Sequence, residues 1–167
     1  YPSPLLTTGP VFRSFNYLAE TSRTFPRISS ILDGTNGWKW EALPSMARNL
    51  NFRLTARDNR PGGGSNNSDD MVITVSSATG PFSVTAPNSN IVWAPGSQQT
   101  VTWSVNGTNG APVNCANVKI SLSTDGGTTF PTVLFASTPN DGTQILTVPS
   151  VNSAQCRIKV EAIGNIF

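Results

Sequence analysis

Short runs in which apolar and polar residues alternate one by one, each closed by Gly, Pro, Asn or Asp, govern what this chain can fold into. Alternation with period two puts one residue type on each face of an extended strand. Val101, Trp103 and Val105 alternate with Thr100, Thr102 and Ser104, and Asn106-Gly107 then marks a turn. Val118, Ile120 and Leu122 alternate with Lys119, Ser121 and Ser123 ahead of Asp125-Gly126-Gly127. Cys156, Ile158, Val160 and Ala162 alternate with Arg157, Lys159 and Glu161, which predicts a strand with a dry inner face and a charged outer one. Pro81–Ala86, Phe130–Phe135 and Ile145–Val148 complete the set after Gly80. Strands this short, at this spacing, predict a β-sandwich.

Composition agrees with that pattern. Charged residues make up only 12%, whereas Gly (14) and Pro (13) are plentiful, a mixture that suits turns and disfavours helices. Upstream, Leu50, Phe52, Leu54 and Ala56 alternate with Asn51, Arg53, Thr55 and Arg57, and Met71–Ser76 reads as a second strand beyond a glycine-rich loop. Ile28–Leu32 reads as one helical turn and Trp38–Leu43 as a short strand. The expected architecture is all-β, with two immunoglobulin- or fibronectin-like sandwich units. Residues 1–78 form the first, with an irregular N-terminal arm and its early strands lacking. Residues 79–167 form the second, lacking its last strand because Gly164-Asn165-Ile166-Phe167 reads as the start of one.

The chain contains no histidine. That excludes a Ser-His-Asp triad, a Cys-His pair and an HExxH zinc site within these residues. Two cysteines are too few for a thiolate zinc site. The Gly62-Gly63-Gly64 run is followed by Ser65-Asn66-Asn67 rather than by a phosphate-binding helix. A glycosidase needs only two carboxylates, but Asp33, Asp125 and Asp141 each precede glycine as turn residues. The chain is therefore expected to be no enzyme in itself. Net charge is +2 with the basic residues dispersed, which argues against a nucleic-acid partner. No apolar run reaches the ~20 residues of a membrane span.

Three groups of residues remain as candidate sites. Asp58, Asn59, Asp69 and Asp70 flank one hairpin loop, and are either calcium ligands or turn-forming residues in water. Trp38 and Trp40 share one face of a short strand, and either stack on sugars or pack inward. Cys115 and Cys156 lie on segments expected to neighbour one another, and are either a disulfide or two free thiols. The stretch from Ser123 to Phe130 fits S-x-D-x-G-x-T-[WF] and resembles the Asp-box hairpin of sialidases, in which Asp and Ser brace the turn.

The order of these features resembles the region downstream of the catalytic domain in secreted, reprolysin-like zinc metalloproteases of Bacteroidota. The stretches that carry the resemblance include GPVFRSFNY at 9–17, WEALPSMARNLNFRLTARDNRPGGG at 40–64, DDMVITV at 69–75, TVTWSVNGTN at 100–109, VNCANVKISLSTDGGTTFP at 113–131 and VEAIGNIF at 160–167. The resemblance implies a secreted or cell-surface parent with its zinc motif far upstream, and an upstream catalytic domain of the same chain as partner. It implies a metalloprotease-associated accessory region that serves as spacer or substrate support. It carries over no catalytic residue. The competing expectation is an adhesion module that binds extracellular polysaccharide or protein.

Overall fold

The computed structural model describes residues 2–14, 22–34 and 41–167. Among these the regular secondary structure is nearly all β, with every named strand pairing antiparallel and one helical turn, α1 (Ile28–Leu32). Two compact units form: Tyr1–Pro26 with Asn36–Ser77, and Arg27–Thr35 with Ala78–Phe167.

The first unit is built on one hairpin. β1 (Arg48–Arg57) and β2 (Asn66–Val75) pair rung for rung from Arg48 opposite Val75 to Arg57 opposite Asn66. The sequence pattern predicts a second strand from Met71, whereas pairing starts five residues earlier. Asn66, Asn67, Ser68, Asp69 and Asp70 have little intrinsic preference for strand. The unbroken alternation of β1 gives them a partner, and both faces of the ladder are exposed there, so no polar side chain has to be buried.

Leu50, Phe52, Leu54 and Ala56 share one face with Ile73 and Met71. Near the base that face is covered: Leu50 is buried, and the rings of Phe12 and Phe25 lie 6.0 and 5.1 Å from that of Phe52. Toward the tip it is bare, with Leu54 73% exposed. The irregular arm, 2–14, is laced to the segment before β1. Ala42 N–H donates to Val11 C=O at 3.0 Å, Ser45 N–H to Pro4 C=O at 2.9 Å, and the Arg48 guanidinium to the carbonyls of Leu6 and Gly9 at 2.9 and 2.6 Å. Among the described residues this unit has one two-stranded sheet.

The second unit has two three-stranded sheets around one core. β3 (Ser83–Ala86), β4 (Gln98–Ser104) and β7 (Thr143–Thr147) form a sheet in the order β3-β4-β7. β5 (Asn117–Ser123), β6 (Thr132–Pro139) and β8 (Arg157–Ala162) form the other, in the order β6-β5-β8. The core between them is Val101, Trp103, Val118, Ile120, Leu146 and Val160, the residues that period-two alternation turns inward on β4, β5, β7 and β8. The outer face of β5 is also covered, since Ser121 and Ser123 are 1% and 0% exposed. Segment 27–35, read from sequence as part of the first unit, clusters with this unit, where Leu32 lies beside Gly127 and Arg157.

Below the loop joining β4 to β5 lies a buried polar hub. The Trp103 indole N–H donates to Asn140 Oδ1 at 2.9 Å, and Asn140 Nδ2 donates to Thr108 Oγ1 at 3.1 Å and to the Cys115 carbonyl at 3.0 Å. Asn140 is 3% exposed, so these bonds are sheltered from water.

Candidate functional site

The residues singled out from sequence fall in separate places. Asp58 closes the tip of the β1–β2 hairpin, its Oδ1 accepting from the backbone N–H groups of Arg60 and Ser65 at 3.2 and 2.9 Å. A shallow recess of about 260 Å³ opens there, lined by Arg57, Asp58, Asn59, Gly64, Ser65 and Asn66. Asp69 and Asp70 lie within β2, three and four rungs from its start, and successive residues of a strand face opposite ways. Three rungs are ~10 Å of strand. The hairpin therefore keeps Asp69 and Asp70 away from Asp58 and Asn59, which corrects the calcium reading. Among the described residues no group of three His, Cys, Asp or Glu side chains is placed to hold a metal ion.

Asp70 instead forms a two-pronged ion pair with Arg53, directly across the ladder, at 2.6 and 2.7 Å. The hydrogen bond from Arg53 holds the Asp70 carboxyl below its usual range. Both side chains are more than 60% exposed, so the pair orders the hairpin face and adds little to stability. Trp38 and Trp40 lie outside the described residues.

The cysteines do not bond. Both are free, Cys115 buried and Cys156 exposed. Their segments are neighbours as expected, but β5 and β8 run antiparallel, with Val118 opposite Ala162 and Ser123 opposite Arg157. That register puts Cys115 beyond one end of the ladder and Cys156 beyond the other, more than ~20 Å apart at ~3.3 Å per residue, far outside disulfide reach. Cys156, read as inward from its parity with Ile158 and Val160, precedes the strand and escapes its alternation. Ellman's reagent is expected to titrate one thiol in the folded chain and two after unfolding in guanidinium. Two slow thiols in the folded state would contradict the exposure of Cys156.

The turn between β5 and β6 is braced from within. Ser123 Oγ donates to Asp125 Oδ1 at 2.7 Å and accepts from the N–H groups of Asp125 and Gly127 at 3.2 and 2.8 Å. The Asp125 carboxylate accepts from the Thr129 hydroxyl at 2.6 Å and from the Thr129 N–H at 3.0 Å. Gly127 adopts φ +95°, a conformation that disfavours any side chain, and a Cβ there would lie 2.8 Å from Leu32 and Arg157 carbons. These bonds, with that from the Thr129 hydroxyl first, hold the Asp125 carboxyl far below the usual carboxylate range. Every partner is part of the turn, so Asp125 is a structural brace.

Because the folded-state pKa of Asp125 is depressed, its contribution to stability is complete above the unfolded value near ~4 and fades as pH falls through the folded one. Asp125→Asn lacks that component. The difference in melting temperature between wild type and Asp125→Asn is expected to shrink steadily below about pH 4. A constant difference would place the interaction elsewhere. Ser123→Ala, which strands the buried N–H of Gly127, is expected to cost about 1–3 kcal/mol by urea unfolding at neutral pH.

On the outer face of the β5–β8 pair, Glu161 lies between two lysines. Lys119 Nζ is 2.7 Å from Oε1 and Lys159 Nζ is 2.6 Å from Oε2. Partial burial by itself would raise the Glu161 carboxyl, but the hydrogen bonds and charges of Lys119 and Lys159 outweigh it and leave the carboxyl below its usual range. Lys159 also stands over the Phe130 ring, 4.9 Å from its centre. Sequence reasoning put Lys119, Lys159 and Glu161 on outward faces. The pairing of Lys119 with Glu161 needs the strand register, which no local pattern reveals.

The remaining polar cluster is in the first unit. Glu41 is 1% exposed, and Arg23 donates to its Oε1 at 2.6 Å while lying 4.3 Å above the Phe25 ring centre.

No family model, curated protein or solved structure matches the chain.

Proposed function

We propose that this chain is a non-catalytic, immunoglobulin-like accessory region of a secreted or cell-surface zinc metallopeptidase, and that it supports or spaces the catalytic domain against its substrate. The observation that carries the reading is the use made of the carboxylates. Asp58 and Asp125 brace turns, Asp141 Oδ1 accepts from the Thr143 N–H at 3.2 Å, and Glu41, Asp70 and Glu161 are held by arginine or lysine. A general acid–base pair needs two carboxylates facing a common substrate, and these serve six different local structures. The peptidase parent rests on the stretches of sequence resemblance set out above. The two sheets of the second unit, ordered β3-β4-β7 and β6-β5-β8 around one core, suit an immunoglobulin-like unit.

The second reading is a module that binds extracellular protein or polysaccharide without a peptidase parent. The bare end of the β1–β2 hairpin favours it, with Leu54 and Met71 exposed on one face and the Arg53–Asp70 pair on the other.

The test begins with the native secreted protein, mapped by intact mass and peptide sequencing, and continues with removal of this region from it. The accessory reading expects an HExxH motif upstream. It also expects unchanged hydrolysis of a short peptide and several-fold slower cleavage of a large protein substrate once the region is removed. A native protein without that motif leaves the binding module. Peptidase activity of the isolated 167-residue chain that survives a zinc chelator would overturn the non-catalytic assignment.

A further inference from the structure

The recess at the tip of the β1–β2 hairpin is lined by polar groups that the fold leaves unused. Asp58 Oδ1 closes the loop by accepting from the N–H groups of Arg60 and Ser65, while Oδ2 has no partner among the described residues. The Arg57 guanidinium and the Asn59 and Asn66 amides belong to the same lining. None of these three side chains has a hydrogen-bond partner among the described residues either. Gly64 keeps the recess open. Gly62 and Gly63 take φ +84° and +145°, which calls for glycine whatever the space, but Gly64 does not have a positive φ. What excludes a side chain there is the approach of Asp58, since a Cβ on Gly64 would lie 2.9 Å from its Oδ1.

The chemistry of the lining narrows the ligand. Its described residues include no apolar side chain, so an apolar ligand gains nothing by entering. One guanidinium stands beside one carboxylate, so an anion is repelled by Asp58 and a cation by Arg57. A lone carboxylate is also too little for calcium, which takes about six to eight oxygens. A neutral ligand rich in donors and acceptors remains. Arg57 offers paired donors, Asp58 acceptors, and each amide one of both kinds. Adjacent hydroxyls of a sugar ring, each at once donor and acceptor, match such planar groups. The volume of about 260 Å³ lies just below the ~300–1,000 Å³ of sites for drug-sized ligands, which suits a single ring. The recess also continues onto one face of the ladder. The Arg57–Asn66 rung is followed on that face by Thr55 opposite Ser68 and Arg53 opposite Asp70, all exposed. Neighbouring units of a polymer therefore meet further hydroxyl and charged groups.

From this we infer that the hairpin tip is a saccharide-binding site, which holds one unit of a neutral polysaccharide by its vicinal hydroxyls. Asp58 Oδ2 accepts from the sugar, Arg57 donates to it, and Asn59 and Asn66 do both. The inference deepens the second reading above and rests on it for one point, that the chain is a binding module.

Amide NMR of the 167-residue chain, titrated in turn with cellohexaose, maltohexaose and mannohexaose, tests it. At least one of the three is expected to shift the amides of residues 57–66 in a saturable way. Gly64→Ala, which fills the recess, is expected to weaken that binding at least tenfold. Arg57→Ala is expected to do the same while leaving the Asp58 brace intact, so a disturbed loop does not explain both. No saturable shift with any of the three sugars overturns the inference. Equal shifts with glycine make the recess a zwitterion site and overturn it as well. Failure of the site and failure of the reading are distinguishable. Sugar binding that shifts other residues, and that both variants leave unchanged, overturns the site and keeps the binding module. An HExxH motif upstream in the native protein counts against the module reading and leaves these shifts as they are.

Discussion

Replacing Asn140 with alanine is expected to destabilise the second unit by about 2–6 kcal/mol, since it strands two buried groups at ~1–3 kcal/mol each. The indole N–H of Trp103 loses its acceptor, and the Cys115 carbonyl loses its donor. Thr108 is less affected, because its hydroxyl also donates to the Val105 carbonyl at 2.7 Å. Trp103 is 4% exposed and Cys115 1%, so water reaches neither without local opening. Urea unfolding followed by tryptophan fluorescence checks the size of the loss. Asn140→Asp sharpens the test. A carboxylate still accepts from Trp103, but it cannot donate to Cys115 or Thr108, and its charge is buried. Such a group has a raised pKa, so its penalty is complete at neutral pH and is relieved as pH falls through the folded value. The stability gap between Asn140→Asp and wild type is expected to narrow below neutrality. A gap unchanged down to pH 5 would mean that the hub is open to solvent.

Asn140 also shows where reading the sequence stops. It follows Pro139 and precedes Asp141-Gly142, in a stretch that reads as an ordinary turn. Nothing local reports that this one turn residue is folded inward beneath the β4–β5 loop. By contrast the core itself was legible. Val101, Trp103, Val118, Ile120 and Val160 lie inward because alternation is a property of the strand and does not depend on its partners. The bracing of the β5–β6 turn was legible for the same reason, since Ser123, Asp125 and Thr129 act on their own neighbours.

What depended on register was not legible. β5 and β8 are neighbours, as the pattern suggested, yet their antiparallel pairing sends Cys115 and Cys156 to opposite ends. Asp69 and Asp70 read as loop residues because five polar residues carry no period, and only the partner strand draws them into the ladder. The choice between calcium ligands and turn residues, and between a disulfide and free thiols, turns on this point alone: each needed the distance between segments, which local pattern does not carry. The place of Leu32, on its single helical turn, beside Gly127 and Arg157 was likewise unreadable.

The buried carboxylate of Glu41 gives the largest effect expected in the first unit. Arg23→Ala removes the guanidinium 2.6 Å from Oε1 and leaves a side chain of 1% exposure without that cation. Breaking a buried pair from one side typically costs ~3–5 kcal/mol, because the remaining charge stays desolvated. Among the described residues, the buried apolar side chains of this unit are Val11, Ala42 and Leu50. Part of the loss comes from the Phe25 ring, over which Arg23 lies. The double variant Arg23→Ala, Glu41→Gln separates the two contributions. A neutral amide has no charge to strand, so the double variant is expected to recover more than half of what Arg23→Ala loses, with Glu41→Gln alone intermediate. Protection of β1 amides in hydrogen exchange reports the result for this unit specifically. If the double variant is no more stable than Arg23→Ala, the cost lies in packing over Phe25. Recovery identifies Glu41 as a structural anion whose partner fixes the arm, 2–14, against the base of the hairpin. In that case the most buried acid among the described residues is committed to the fold, as Asp125 and Glu161 of the second unit are.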